Sequence, residues 1–300
     1  MKAYRRFPEW LRRSLPESSS ERTRAILKKY QINTVCQSAM CPNSHECYAN
    51  DTATFMILGK VCTRRCGFCA VRTGEGEILR TDEPERVAFA AKELGLRHVV
   101  ITSVTRDDLQ DEGAAHYVHT IQAVRREVPG VSVEVLTPDF HSREELIGQV
   151  VAAEPEVFNH NLETVERLQR TARMQADYYR SLRTLEIAKR LAPQRITKSG
   201  LMLGLGETVP EILESGRHLL AVGVSLLTLG QYLQPGPENM EVQEYVAPEK
   251  FQDLSRKLTA MGFEKVLSGA YIRSSYHARE TFTEVGQEQT QGTPETRTEA

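Results

Sequence analysis

Three cysteines lie within eight residues in the stretch VCTRRCGFCAV. Cys62, Cys66 and Cys69 form a C-x3-C-x2-C array. Deprotonated sulfur is the usual protein ligand of iron–sulfur clusters, and packing in a core explains three neighbouring thiols poorly. Three thiolates leave one iron of a cubane cluster without a protein ligand. The array therefore predicts a metal centre with an open coordination position, where chemistry can take place.

A second triplet precedes the first. Cys36, Cys41 and Cys47 have C-x4-C-x5-C spacing, and all six cysteines of the chain lie between residues 36 and 69. The six could form one binuclear zinc site, two zinc sites completed by His45 or His141, two iron–sulfur clusters, or a set of structural thiols. Zinc ribbons favour two C-x2-C knuckles separated by a longer loop, and these triplets lack that pairing. The spacing therefore favours two iron–sulfur clusters.

Composition and charge argue against several classes of function. The chain has 300 residues, of which 40% are hydrophobic and 26% charged, as is ordinary for a globular protein. A net charge of −2 gives no reason to expect nucleic acid as a partner, although Arg5, Arg6, Arg12 and Arg13 form a local basic patch. No run approaches the roughly 18 apolar residues of a membrane helix, so we expect no membrane partner. Clustered cysteines in a long chain favour a reducing compartment, and we expect a cytoplasmic protein.

Strands and helices alternate from residue 52 onward. Short β-rich or apolar runs predict strands at 53–59, 98–103, 131–136, 157–159, 196–203 and 226–231, and 265–270 would add a last strand. Helical periodicity and capping residues predict helices at 21–31, 84–94, 113–128, 143–153, 180–191, 211–222 and 249–261. The first strand leads directly into Cys62.

Repeated βα units place these elements in an α/β fold with parallel strands. Six such units predict a partial TIM-like (βα)6 barrel, whose active site would lie in the loops at the carboxyl ends of the strands. A doubly wound open sheet is the alternative architecture. Residues 1–50 would form an N-terminal extension carrying the second cysteine triplet, residues 51–280 the barrel, and the polar residues 281–300 a disordered tail.

The spacing of Cys62, Cys66 and Cys69 resembles the signature of the radical S-adenosylmethionine enzymes. In that superfamily the open iron chelates the amino and carboxylate groups of S-adenosylmethionine, and electron transfer from the cluster cleaves it to methionine and a 5′-deoxyadenosyl radical. The aromatic residue before the last cysteine contacts the adenine, which implies this role for Phe68.

Further motifs resemble those of one family, the lipoyl synthases. They are TVCQSAMCPNSHEC around the second triplet, TSVTRDDLQDEGA (Thr102–Ala114), FNHNLETV (Phe158–Val165), TKSGLMLGLGET (Thr197–Thr208), LTLGQYLQP (Leu227–Pro235) and RSSYHA (Arg273–Ala278). The resemblance runs from about Pro8 to Ala278. It implies insertion of two sulfur atoms, at C6 and C8 of an octanoyl chain carried on a protein lysine.

The resemblance also implies two [4Fe–4S] clusters, with S-adenosylmethionine bound at the one held by Cys62, Cys66 and Cys69. The auxiliary cluster, which donates the sulfur, would be held by the triplet Cys36, Cys41 and Cys47. Its fourth ligand would be the serine before the tyrosine of RSSY, Ser275, and Arg273 would pair with the cluster or orient that ligand. An alkoxide on a thiophilic iron is a labile ligand, which suits a cluster that is consumed.

The implied partners are octanoylated carrier domains. These are the E2 subunits of 2-oxoacid dehydrogenases and the H protein of the glycine cleavage system. An electron donor such as flavodoxin or ferredoxin and a protein that delivers clusters would also be needed.

Residues at the ends of the predicted strands are further candidates for binding S-adenosylmethionine. They are Thr102 and Ser103 after the second strand, Asn159, Asn161 and Glu163 after the fourth, and Gly204 and Glu207 after the fifth. Loop capping or a satisfied hydrogen bond is the structural alternative for each of them. Asp107 and Asp108 would bind a ribose or cap a helix. Phe7 and Trp10 would anchor the N-terminal segment to the barrel or help to dock the carrier.

Two other functions remain open at this point. One is another radical sulfurtransferase, such as a biotin-synthase-like enzyme or a methylthiotransferase, against which the RSSY motif argues. The other is a binding module stabilised by zinc or by a cluster, with no catalytic role.

Overall fold

The computed structural model describes residues 7–13 and 20–291. Arg5 and Arg6 of the N-terminal basic patch lie outside the described residues, as do residues 292–300 of the expected tail. Between residues 281 and 291, where we expected disorder, the structure has the end of a helix.

The described N-terminal segment is held by contacts with the rest of the chain. Arg13 forms an ion pair with Glu46 at 2.9 Å, and its guanidinium carbon lies 3.6 Å from the centroid of the Tyr271 ring. Phe7 packs edge-on against Tyr245 with ring centroids 5.7 Å apart. These contacts agree with the interpretation of this segment as an anchor.

Seven parallel strands form one sheet in sequential order. They are β1 (Thr54–Ile57), β2 (His98–Ser103), β3 (Ser132–Leu136), β4 (Val157–Asn159), β5 (Ile196–Leu203), β6 (Leu226–Gln231) and β7 (Lys265–Gly269). A doubly wound sheet reverses its strand order at a switch point, and this sheet does not. The partial TIM-like barrel is therefore confirmed, and β7 is the last strand that residues 265–270 were expected to add.

Helices precede, connect and follow the strands, and those that connect two strands cover the outer face of the sheet. They are α1 (Glu21–Lys29), α2 (Val35–Ser38), α3 (Ser44–Ala49), α4 (Glu83–Leu94), α5 (Ala114–Glu127), α6 (Glu144–Ala152), α7 (Gln169–Ala172), α8 (Tyr178–Leu191), α9 (Val209–Ala221), α10 (Pro248–Met261) and α11 (Ala278–Gln291). Every predicted helix is present, with ends within two residues of the prediction. The sequence analysis missed α2, α3, α7 and α11.

Local sequence explains where the crossover helices begin and end. Helix α4 has Pro84 in its first turn, where no amide donor is needed, and ends at Gly95, whose φ of 70° suits a residue without Cβ. Helix α9 begins with a capping box between Thr208 and Glu211. Such defined ends fix the lengths of the loops that carry the site.

Polar side chains occupy part of the barrel interior. Alternate residues of a strand point to opposite faces, so Glu134 points inward while its neighbours pack against the helices. Lys198 forms a buried ion pair with Glu134 at 2.9 Å, and Asn159 donates to the same carboxylate at 3.2 Å. Burial alone would raise the pKa of Glu134, but Lys198 and His98 hold it below its usual value.

Helix α11 closes the barrel at the amino ends of the strands. Phe282 packs against Val157, Ile196 and Leu226, each at or near the start of a strand. The same ring stacks on His98, the first residue of β2, with centroids 5.5 Å apart. The opposite end, where the strands finish, is therefore the mouth.

Among the residues that the structure describes, no helix is both long enough and apolar enough to span a membrane.

Candidate active site

The loop that follows β1 carries Cys62, Cys66 and Cys69 to the mouth of the barrel. Two backbone amides face its sulfur atoms. The amide of Thr105 donates to Cys62 Sγ and that of Val71 to Cys69 Sγ, each at 3.4 Å. Amides that donate to sulfur favour the thiolate over the thiol. The loop is therefore arranged for thiolates that bind a metal.

Segments far along the chain hold this loop in place. The amide of Gly67 donates to the Ala172 carbonyl and that of Met240 to the Gly67 carbonyl, both at 2.8 Å, while Asn239 Nδ2 donates to the Cys69 carbonyl at 3.0 Å. A Cβ at Gly67 would lie 3.0 Å from Met240 Cγ and 3.3 Å from the Thr171 carbonyl oxygen, so a side chain here would make these neighbours shift by a few tenths of an ångström. The sequence analysis missed Asn239 and Met240, although both follow β6 and so had to lie at the same end of the sheet.

Arg64, between the first two cysteines of the loop, is buried beneath it. Its guanidinium donates to Asp107 at 2.7 and 2.8 Å and to Asp139 at 2.8 and 2.9 Å. Burial would raise the pKa of Asp139, but the bonds from Arg64 hold it well below its ordinary value. Asp108 pairs with Arg106 at 2.8 Å in the same way. Asp107 and Asp108 are thus engaged in ion pairs, in agreement with a structural role.

The separation of the thiols distinguishes a cluster from a single zinc ion. In tetrahedral zinc sites with Zn–S bonds of about 2.3 Å, sulfur ligands lie about 3.8 Å apart. Within the described residues, Asp107, Glu112 and His141 have ligand atoms that all lie within 4.8 Å of one another. The sulfur atoms of neither cysteine triplet lie that close together. His141 bonds Glu112 at 2.9 Å, so it does not complete a cysteine site. The wider triplets fit iron–sulfur clusters better than zinc.

Three of the thiols need a positive metal centre to become thiolates. Burial raises the pKa of Cys66 to about 11 and that of Cys69 to about 12, while burial and the neighbouring Cys36 and Cys41 raise the pKa of Cys47 to about 12. At neutral pH such thiols are protonated unless a positive metal centre compensates the charge. The donor sets therefore fit iron–sulfur clusters.

The second triplet lies beside β1 on two short helices and the turn between them: α2 carries Cys36, the turn Cys41 and α3 Cys47. Thr34 caps α2 by accepting the amide of Gln37 at 3.3 Å, and this helix carries the buried Cys36. Between the two helices, the side chain of Asn43 donates to the Tyr271 carbonyl at 2.7 Å. The second triplet is thus joined directly to the segment after β7.

The segment after β7 brings Ser275 and Arg273 to this triplet. The hydroxyl of Thr54 donates to Ser275 Oγ at 2.8 Å, and the same threonine bonds the Cys36 thiol. Arg273 is close enough to Cys41 for their charges to interact, although burial lowers the pKa of Arg273. The sequence analysis named both residues, but it missed Thr54, whose place at the start of β1 gave no signal.

A chain of side chains connects the two cysteine triplets. Ser274 donates to Asn161 Oδ1 at 2.9 Å, and Asn161 Nδ2 donates to Glu163 Oε1 at 3.1 Å. Glu163 interacts electrostatically with Cys66 and Cys69, and burial raises its own pKa. The structure therefore places Asn161 and Glu163 at the mouth, where their positions after β4 predicted them, with Glu163 near Cys66 and Cys69 and Asn161 bonded to the residue before Ser275.

Arg173, which the sequence analysis also missed, lies next to these residues. It is 9% exposed, donates to the Asn161 carbonyl at 3.2 Å, and forms a backbone bridge with Cys66. Its position on a short turn before α8 carries no recognisable motif.

The remaining predicted residues divide between structural and open roles. Thr102 donates to the Leu136 carbonyl at 3.0 Å, and Asn159 bonds Glu134 deep in the barrel. Glu207 accepts the amides of Gly204 and Leu205 at 2.5 and 2.9 Å, closing the turn after β5. Thr102 and Asn159 thus have satisfied hydrogen bonds within the sheet, and Glu207 caps a turn, in agreement with the structural alternative.

Two predicted residues keep groups available for a ligand. The Ser103 hydroxyl makes no hydrogen bond within the described part of the chain. Phe68 is half-buried in the cysteine loop. Both lie on the mouth side of the barrel.

Comparison with known proteins agrees with this arrangement. The profile of the radical SAM superfamily matches residues 56–219. A lipoyl synthase of Caldanaerobacter subterraneus subsp. tengcongensis is 52% identical over 273 residues, covering 91% of this chain and 96% of that protein. A lipoyl synthase of Klebsiella pneumoniae is 48% identical, covering 91% of this chain and 86% of that protein.

Solved structures share the fold at low sequence identity. Methylornithine synthase superposes with a TM-score of 0.55 at 14% identity, covering 84% of this chain and 75% of its own. The hydrogenase maturase HydG of Carboxydothermus hydrogenoformans gives 0.59 at 15% identity, covering 88% and 69%. At such identities the likeness concerns the fold alone.

Proposed function

The chain belongs to the lipoyl synthase family of the radical S-adenosylmethionine superfamily, and from that premise we propose which residues carry each part of its reaction. The enzyme is a sulfurtransferase that inserts two sulfur atoms, at C6 and C8 of an octanoyl chain on a protein lysine. The single observation that carries the assignment is the contact of Ser275 with Thr54, which joins the end of the barrel to the second cysteine triplet.

The reaction must break unactivated C–H bonds. No side-chain base can do this, because no tuned pKa makes an alkane carbon acidic enough. When bound, S-adenosylmethionine and the clusters supply a hydrogen-abstracting radical and the sulfur atoms. The protein's own residues hold these groups, orient the octanoyl chain and exclude water.

Cys62, Cys66 and Cys69 hold the cluster that binds S-adenosylmethionine. Support comes from the amides that donate to Cys62 and Cys69 and from the contacts of Asn239 and Met240, which fix the turn between the second and third ligands. Phe68, in the same turn, is placed to contact the adenine, and its position at the mouth supports that role.

Cys36, Cys41, Cys47 and Ser275 hold the auxiliary cluster, which donates the sulfur. The Thr54 hydroxyl lies between Cys36 and Ser275, so it orients the serine toward the triplet. Arg273, close to Cys41, brings a positive charge to a site with three thiolates.

Asn161 is a positioning residue between the two clusters. Through its amide it holds Glu163 on the side of Cys66 and Ser274 on the side of the auxiliary triplet. The octanoyl chain then lies between the radical source and the sulfur source, where both steps need it.

The substrate is an octanoylated lipoyl carrier domain, found in E2 subunits and the H protein. A flavodoxin or ferredoxin supplies electrons, and a cluster carrier rebuilds the auxiliary site. The clustered thiols support a location in the reducing cytoplasm.

Two matched variants test the division of labour. Cys36→Ala should keep the cleavage of S-adenosylmethionine but abolish sulfur insertion, whereas Cys66→Ala should abolish both. Each reconstituted variant should retain roughly half of the iron of the wild type. The assay measures 5′-deoxyadenosine and lipoyl product under anaerobic reducing conditions with an octanoyl-lysyl peptide. Equal losses of both products in the two variants, with folding intact, would contradict the assignment.

A further inference from the structure

A basic cleft flanks the mouth of the barrel where α1 meets the residues that follow β1. It has a volume of about 830 Å³ and is lined by α1, by the turn after β1 and by residues 77–86. One wall includes Gln37, next to Cys36, and another includes Lys60, two residues before Cys62. The cleft is therefore bordered by the two chain segments that carry the first cysteine of each triplet.

The charges of the cleft are unbalanced. Its lining includes five cationic side chains, Arg24, Lys28, Lys60, Arg80 and Arg86, but only the two acidic side chains Glu77 and Glu83. Those two carboxylates are already engaged, Glu77 by the Lys60 amide at 2.6 Å and Glu83 by His116 at 2.8 Å. An anionic partner would therefore meet a surplus of positive charge.

Two of the cations are free to meet a partner. Arg80 and Arg86 both pair with Asp82. Lys28 and Lys60 are exposed, and within the described part of the chain their ammonium groups form neither an ion pair nor a hydrogen bond. Unpaired lysines around a cleft attract anionic surfaces and raise the rate of encounter.

An apolar residue beside these charges points to a protein partner. Ile78 lines the same cleft and is 94% exposed. A large aliphatic side chain so fully exposed, with cations around it, matches the arrangement of a protein interface, in which a buried apolar contact is surrounded by a charged rim. A phosphate ion or a nucleic-acid backbone would gain nothing from contact with the apolar side chain of Ile78.

We propose that this cleft docks the octanoylated carrier domain through a carboxylate-rich face, with Ile78 as the apolar contact and Lys28 and Lys60 as the charged ones. The inference rests on the proposed function. A carrier held here lies against the segments that lead to both triplets, so its lysine-borne chain can reach the mouth of the barrel. Docking adds affinity for the folded domain, and a short octanoyl-lysyl peptide cannot use it.

The test compares two substrates on the reconstituted full-length enzyme. In Lys28→Glu combined with Lys60→Gln, KM for the octanoylated carrier domain should rise about tenfold, and KM for the octanoyl-lysyl peptide should stay unchanged. Added salt should raise the wild-type KM for the carrier and affect the variant less. Ile78→Ser should raise KM for the carrier without changing its salt dependence. Arg97→Glu is the matched control, because Arg97 is an exposed cation just before β2, at the opposite end of the barrel.

Two results would overturn the docking site. One is an unchanged carrier KM in the double variant. The other is an equal rise for carrier and peptide, which would place the lysines at the reaction site instead. If the wild type failed to thiolate the peptide, the proposed function itself would be refuted. Failure of the docking site and failure of the proposed function can therefore be distinguished.

Discussion

Gly230, on the interior face of β6, determines where the loop that carries Ser275 can lie. A Cβ at this position would lie 2.1 Å from the Ile272 carbonyl oxygen and 3.2 Å from Arg273 Nη1. Ordinary contact begins at 3.4 Å, so the Gly230→Ala substitution must move the Ile272 backbone by about 1.3 Å. The loop cannot yield by rotating a side chain, because the clashing atom belongs to the backbone.

This displacement should separate the two activities. A shift of about 1 Å in a catalytic group costs on the order of 10²-fold in rate. We therefore expect Gly230→Ala to lower formation of lipoyl product about 100-fold. Cleavage of S-adenosylmethionine should change little, because the loop around Gly67 rests on Ala172 and Met240 rather than on this segment.

The neighbouring strand offers a matched control. Gly269 pairs with Gly230 in the sheet, and its Cβ would meet only Ile272 Cγ1, at an ordinary 3.5 Å. Gly269→Ala should therefore keep both activities. The assay follows 5′-deoxyadenosine and lipoyl product with an octanoyl-lysyl peptide, at matched iron content. Product formation by Gly230→Ala within threefold of the wild type, or an equal loss of both activities, would refute the reasoning.

Two further predictions concern stability. Lys198→Met should lower the free energy of unfolding by about 3–5 kcal/mol, because it leaves the buried Glu134 carboxylate without its cation. Adding Glu134→Gln should restore much of the loss, and a urea midpoint unchanged by the single substitution would contradict this. Burial and the nearby Arg173 lower the pKa of His160 to about 4, whereas in the unfolded chain it is about 6.5. The unfolded chain therefore binds the extra proton, so stability should be full above about pH 6.5 and fall as the pH drops toward 4. His160→Gln should flatten that fall in urea titrations at pH 7 and 5, and identical pH dependence in variant and wild type would show that His160 is not responsible.

The arrangement of the barrel could be predicted because the sequence signals were local. Apolar runs such as residues 98–103 and 226–231 define strands, and Gly95 marks the end of a helix. One cysteine triplet comes just before β1 in the sequence and the other just after it. Their positions relative to the barrel could therefore be predicted as well. A strand followed by a helix also fixes which end of the sheet a loop occupies, and this brought Asn161 and Glu163 to the mouth.

The contacts that complete the site could not be predicted, because they join residues that are distant in sequence. Thr54 and Ser275 meet across 221 residues, and Asn239 reaches Cys69 across 170. A threonine at the start of a strand and an asparagine in a loop have no pattern that reveals such a partner. The ion pair of Arg64 with Asp107 could not be predicted for the same reason, because the two residues are 43 positions apart in the sequence.

The distance between Thr54 and Ser275 along the chain also sets the order in which the protein can be completed. Ser275 follows Cys69, the last cysteine, by 206 residues. At a synthesis rate of about 5–20 residues per second, all six thiols leave the ribosome roughly 10 to 40 seconds before that serine. A nascent chain thus presents both cysteine triplets before the proposed serine ligand of the auxiliary site has been made. In its proposed form, with Ser275 as the fourth ligand, that site can be completed only after nearly the whole barrel has been synthesised.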